Sequence, residues 1–157
     1  MSARIRLVQR HSDNHLLVHV VWTTARRAAL LELSADRWLA DVLRRDAYEA
    51  GSALIACGNA ADHVHVLVRY PSTVTLASVV QRLKGASSYE WNLAQRSPRL
   101  DWQVGSWAAS VSPADSATVA HYVERQRVHH GDTAPARERW EEALGPLASP
   151  DRDTSVR

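Results

Sequence analysis

His63 and His65 are the residues in this chain whose type and spacing could do chemistry. They alternate with valines in Asp62-His63-Val64-His65-Val66-Leu67-Val68, a period-two pattern that reads as a strand. Val64, Val66 and Val68 share one face, and His63, His65 and Leu67 share the other. Residues two apart on a strand lie about 6–7 Å apart at Cα, so the imidazole tips can converge on one metal ion. The plainer alternative is a half-exposed strand with two histidines on its solvent side. Much later in the chain, Tyr122 and Gln126 are spaced i and i+4, which puts them on one face of a helix. A tyrosine there can be a nucleophile or a packing residue.

The elements that must position these side chains follow from periodicity and capping. Residues 14–22 (Asn-His-Leu-Leu-Val-His-Val-Val-Trp) read as a first strand, with His15, Leu17, His19 and Val21 on one face. Ser34 can cap a helix that runs to Ala50 and is stopped by Gly51. Residues 53–58 form a second strand, joined through Asn59-Ala60-Ala61-Asp62 to the histidine strand as a hairpin. Residues 75–93 read as a second helix, with Leu76, Val79, Val80 and Leu83 inward. Gly85 within it means either close helix packing or a backbone approached by a ligand. Residues 102–111 read as a fourth strand. Pro113 and Asp115 or Ser116 open a third helix through His130, which Gly131 ends.

The order β-α-β-β-α-β plus a helix is that of an α+β, ferredoxin-like (RRM-like) plait with an added C-terminal helix carrying Tyr122. The histidine face is then the open face of the sheet. Residues 1–131 are expected to be one domain, and 132–157 a polar tail, partly disordered.

The bulk properties set the class. The 157 residues are 45% hydrophobic and 23% charged, ordinary for a soluble globular domain. No stretch approaches the ~20 apolar residues that span a bilayer, so no membrane partner is expected. No apolar run follows the basic start, and the cytoplasm is the expected compartment. One cysteine, Cys57, excludes an internal disulfide and reads as a small core residue. The net charge is +2, with the acidic excess gathered in residues 132–157. Lys84 is the single lysine among 19 basic residues. Arginine suits bidentate phosphate contact, although its abundance also tracks coding composition. Six tryptophans could stack on bases or fill the core.

Five separated elements, taken together, resemble the single-tyrosine HUH transposases, the enzymes of small insertion sequences and their REP-associated relatives. They are His19-Val20-Val21-Trp22 with Arg26-Arg27, then Asp62-His63-Val64-His65-Val66-Leu67, then Leu83-Lys84-Gly85-Ala86-Ser87-Ser88. Residues 102–111 and Tyr122-Val123-Glu124-Arg125-Gln126 with His129-His130 complete the set, in the family's order.

The resemblance implies a DNA strand transferase with Tyr122 as nucleophile. It implies a divalent ion, Mg²⁺ or Mn²⁺, held by His63, His65 and Gln126. Such an N,N,O set leaves positions open for phosphate oxygens, unlike a closed structural zinc site. The substrate implied is single-stranded DNA with hairpin-containing ends, and the assembly a homodimer whose Tyr helices can complete each other's sites.

Arg26, Arg27, Arg82 and Lys84 are candidates for DNA backbone contact, with Arg125 and Arg127 behind them. His19 and Asp62 are candidates to support the metal ligands from behind. Two other readings stay open. One is a small replication-initiator-type nickase with the same chemistry. The other is a domesticated or inactive single-strand binder that stacks bases on Trp22, Trp102 or Trp107.

Overall fold

The computed structural model describes residue 14 and residues 16–130. Residues 1–13, His15, Gly131 and the tail of 132–157 lie outside the described residues.

The alternating apolar segments form a four-stranded antiparallel sheet. Its strands are β1 (Leu16–Thr23), β2 (Ala53–Asn59), β3 (His63–Tyr70) and β4 (Trp107–Val111), in the order β2-β3-β1-β4. The crossovers are α1 (Asp36–Glu49), between β1 and β2, and α2 (Leu76–Leu93), between β3 and β4. This is the expected plait. Among the described residues no helix is long and apolar enough to cross a membrane.

One face of the sheet is paved by Val18, Val20, Trp22, Val64, Val66 and Val68, which pack on Leu39, Leu43, Val79 and Leu83 of the two crossover helices. Each fully buried Val or Leu in such a layer contributes about 1.5–3 kcal/mol. Cys57 packs at the edge of this cluster, and burial pushes its thiol up to about 12, so it stays protonated and inert. Thr75 caps α2 by accepting from the Ser78 amide at 3.2 Å. Gly51, at φ +72°, turns the chain off the end of α1.

Four local expectations need correction. Ser34 does not cap α1; it sits in a 3-10 turn, Leu33–Ala35, and Ala35 precedes the helix without a side-chain cap. The fourth strand begins at Trp107, not at residue 102, because Gly105 at φ +86° bends the chain away. Lys84 Nζ holds that bend by donating to the carbonyls of Gln103 and Gly105, both at 2.7 Å. Gly85 does not serve close helix packing, since a Cβ there would meet nothing within 4 Å.

The fourth correction concerns the C-terminal helix, which is two: α3 (Ser116–Glu124) and α4 (Gln126–His130), broken at Arg125. The physical cause is competition for one carbonyl. In a continuous helix the Gln126 amide would bond to Tyr122 O. Here that oxygen accepts from the Arg125 amide at 3.2 Å and from the Gln126 side-chain Nε2 at 2.8 Å.

The second face of the sheet is not open. α3 lies across it and packs Val123 against Ala56 and Leu67. The helix end comes so close to β2 that a Cβ on Gly58 would lie 1.9 Å from Val123 O. Glycine at 58 is thus a condition for the layer to form. Gly58→Ala should destabilise the chain by about 1–3 kcal/mol, the usual cost of overpacking, in urea denaturation. A midpoint unchanged from wild type would show that α3 does not rest on Gly58.

Candidate active site

β3 brings His63 and His65 to the covered face, where both are fully buried. Buried polar side chains need partners, and both rings have one on Nδ1. His63 Nδ1 lies 2.7 Å from Asp62 Oδ1. His65 Nδ1 lies 2.9 Å from His19 Nε2. β1 supplies His19 by register: Val21 pairs with His65 and His19 with Leu67, which sets His19 diagonally beside His65. If Nδ1 of each ring carries the proton, the lone pair is on Nε2, the form that ligates a metal.

Asp62 is buried at the foot of β3. Its second oxygen accepts from Arg27 Nε at 2.6 Å. Burial pushes the carboxyl up, but the hydrogen bonds from His63 and Arg27 outweigh it and hold the group below its ordinary value.

The third contribution comes from α3 and α4. The half-buried Tyr122 ring stands 5.7 Å from His65 and 6.0 Å from His19, centroid to centroid. Gln126 is fully buried, and its Oε1 has no hydrogen-bond partner among the described residues. A buried amide oxygen without a partner, on the residue four after Tyr122, is a donor that suits a hard divalent cation. No group of three or more His, Cys, Asp or Glu among the described residues is arranged to hold a metal.

His129 and His130, not singled out from the sequence as site residues, also reach the cluster. The His130 ring is 5.2 Å from His63, and the His129 ring 5.5 Å from Tyr122. In the sequence their one signal was their place in the matching segment. Glu124 and His121 are exposed, as their helical angles from Tyr122 require.

The candidate DNA contacts divide. Arg26 is exposed at the sheet end that holds His63, and its amide donates to Gln103 Oε1 at 3.4 Å. Lys84 reaches the same 103–105 segment, and burial pushes its ammonium down. Arg82 belongs to the helix layer on the opposite face and is engaged by Asp46 and Glu49. Arg27 is turned inward to Asp62. Arg127 is internal as well, bound to Asp36 through both oxygens at 2.8 and 2.6 Å. Of the tryptophans proposed for stacking, Trp22 is core and Trp102 packs on it while donating to Ser87 Oγ at 3.0 Å. Trp107 alone of the three stands on the site face, 5.3 Å from the His19 ring.

Residues 12–126 match the family described as Transposase IS200 like. Among solved structures, a Deinococcus radiodurans R1 protein assigned as a transposase is 27% identical, with a TM-score of 0.60 over 74% of this chain and 95% of its own. A REP-associated tyrosine transposase bound to a REP hairpin is 17% identical, with a TM-score of 0.58 over 85% of this chain and 76% of its own, and shares the fold. No curated protein matches the chain. The chain belongs to the IS200-like transposase family.

The support under His63 can be tested by stability alone. Asp62→Ala leaves a buried imidazole N–H and part of the Arg27 guanidinium without their acceptor. The expected cost is roughly 2–4 kcal/mol, discounted because Arg27 is part-exposed. Denaturation unchanged within about 0.5 kcal/mol would refute the contact as a structural element.

Proposed function

We propose that this transposase cleaves and rejoins single-stranded DNA through a covalent 5′-phosphotyrosine on Tyr122. The observation that carries the reading is the Tyr122 ring standing 5.7 Å from His65, one of the His63–His65 pair, with the buried amide oxygen of Gln126 unpartnered four residues after Tyr122. In the first step the Tyr122 oxygen forms a bond to the scissile phosphorus and the bond to the 3′-oxygen breaks. The phenolic proton is lost and the leaving 3′-oxygen is protonated. In the second step a 3′-hydroxyl attacks the phosphotyrosine and frees Tyr122. The ester conserves the bond energy, so no nucleotide cofactor is needed.

His63, His65 and Gln126 would hold Mg²⁺ or Mn²⁺, and such an ion would supply positive charge to stabilise a phosphate. Asp62 and His19 keep the two imidazoles in plane and in one tautomer. A phenol has an ordinary pKa of about 10, and cationic surroundings favour its ionisation.

Arg26 and Lys84 are the proposed contacts to the DNA backbone, with Arg82 the weaker candidate because two carboxylates already engage it. The neighbour bound to a REP hairpin supports element-end hairpins as the substrate. Dimerisation belongs to the same reading: one tyrosine per chain suits two cleavages by two copies. The contact of Tyr122 with its own His65 supports sites completed within each chain rather than exchanged between them.

The test is a covalent adduct. Incubated with a hairpin oligonucleotide and Mn²⁺, wild type should leave a protein–DNA species on a denaturing gel. Tyr122→Phe should remove it while DNA binding survives, and cleavage by that variant would show that another group is the nucleophile. His63→Ala or chelation by EDTA should lower cleavage at least a hundredfold. Unchanged activity in either would sink the metal assignment.

A further inference from the structure

Arg26 and Arg27 stand side by side in the sequence and were expected to share one role, contact with DNA phosphates. The structure separates them. Both lie in the left-handed region, at φ 58° and 57°, which L side chains rarely adopt and which persists only where the surroundings hold it. The surroundings do hold it. The Thr24 amide donates to Asp62 O at 2.8 Å, the Thr24 hydroxyl donates to Ala28 O at 2.7 Å, and the Ala25 amide donates to Asp101 O at 2.8 Å. The turn is therefore pinned on one side to the residue before His63 and on the other to the 101–105 segment.

The result of this turn is that Arg26 is exposed while Arg27 folds back on the site. Arg27 Nε meets Asp62 Oδ2 at 2.6 Å, and Asp62 Oδ1 meets His63 Nδ1 at 2.7 Å. A carboxylate held at one oxygen can swing about its side-chain bonds. Held at both, by a planar guanidinium on one side and an imidazole on the other, it cannot. The plane of Asp62 then dictates the plane of His63, and so the direction of the His63 Nε2 lone pair.

We infer that Arg27 is a positioning residue for His63, acting through Asp62, and that of the adjacent arginines Arg26 alone serves the DNA backbone. This rests on the metal reading above. The strained turn serves to send two neighbouring guanidinium groups to different tasks.

Two measurements on the full chain separate the roles: Mn²⁺ affinity without DNA, followed by electron paramagnetic resonance, and single-stranded DNA affinity in EDTA over a range of salt. Arg27→Gln should weaken Mn²⁺ binding about 10–100-fold, the usual effect of losing an outer partner of a ligating histidine. Its DNA affinity in EDTA should stay within about twofold and its salt slope should not change. Arg26→Gln should do the reverse, lowering the salt slope by about one at unchanged Mn²⁺ affinity. Arg27→Lys, which can restore a single contact to Asp62, should recover part of the Mn²⁺ affinity.

Mn²⁺ affinity unchanged in Arg27→Gln, with weaker DNA binding, overturns the inference. If Arg27→Gln does not fold, Arg27→Lys decides on the same two readouts. Its Mn²⁺ binding should be several-fold weaker than wild type at unchanged DNA affinity; wild-type Mn²⁺ affinity would overturn the inference. Wild type that binds no Mn²⁺ would instead overturn the metal reading, and this inference with it.

Discussion

The contact between α3 and β2 at Gly58 sets the conditions for everything near the site. A ferredoxin-like sheet has one face covered by its two crossover helices, and the other face is free to meet water. Here the carbonyl of Val123 comes down on Gly58 at a separation that no side chain permits. That approach closes the second face, buries His63 and His65, and brings Tyr122 to them. Burial then forces the rest. Imidazoles removed from water must be hydrogen-bonded, so Asp62 and His19 are part of the same solution as the helix that covers them.

The site is assembled from three segments distant in sequence: β1 with His19, β3 with its histidine pair, and α3–α4 with Tyr122 and Gln126. What locates the last segment is a break in the helix. After the break Gln126 is buried, with its Nε2 donating to Tyr122 O, and Arg127, one residue on, reaches Asp36 at the start of α1. Asp36 also accepts from Asn59, the residue after Gly58. The segment bearing Tyr122 is thereby tied to the rest of the chain at two places, one steric and one ionic. Both are short-range and directional, so they hold the Tyr122 ring at a set distance from His65 without covering the ring.

The cations follow the same division between inside and outside. In a DNA transposase a run of arginines invites assignment to phosphate, and several of those here are engaged within the protein. Arg27 serves Asp62, Arg127 serves Asp36, and Arg82 is shared by Asp46 and Glu49 on the far layer. Lys84 is half inside, with its ammonium bridging two carbonyls that shape the approach to β4. Of the candidate phosphate-contacting cations, Arg26 is thus the exposed one beside the histidine end of the sheet.

The order of strands and helices along the chain, including the two crossover helices, was legible in the sequence. Period-two alternation around His63 and His65, helical spacing around Val79 and Leu83, and glycine after α1 are local signals, and local signals survive in a linear sequence. The histidine pair and the Tyr122/Gln126 spacing were legible for the same reason. Other features depended on encounters between distant segments. The open face turned out closed because Gly58 has no side chain to stop α3, and nothing about an isolated glycine announces what it will meet. The helix broke at Arg125 because a glutamine side chain outcompeted its own amide for a carbonyl, a contest that propensity alone does not rank. Arg27 turned toward the interior because a carboxylate far along the chain was buried within its reach. Periodicity and residue type dictate which elements form and which residues are capable of chemistry. Which of those residues face one another is set by packing and desolvation, which exist only once the chain has closed on itself.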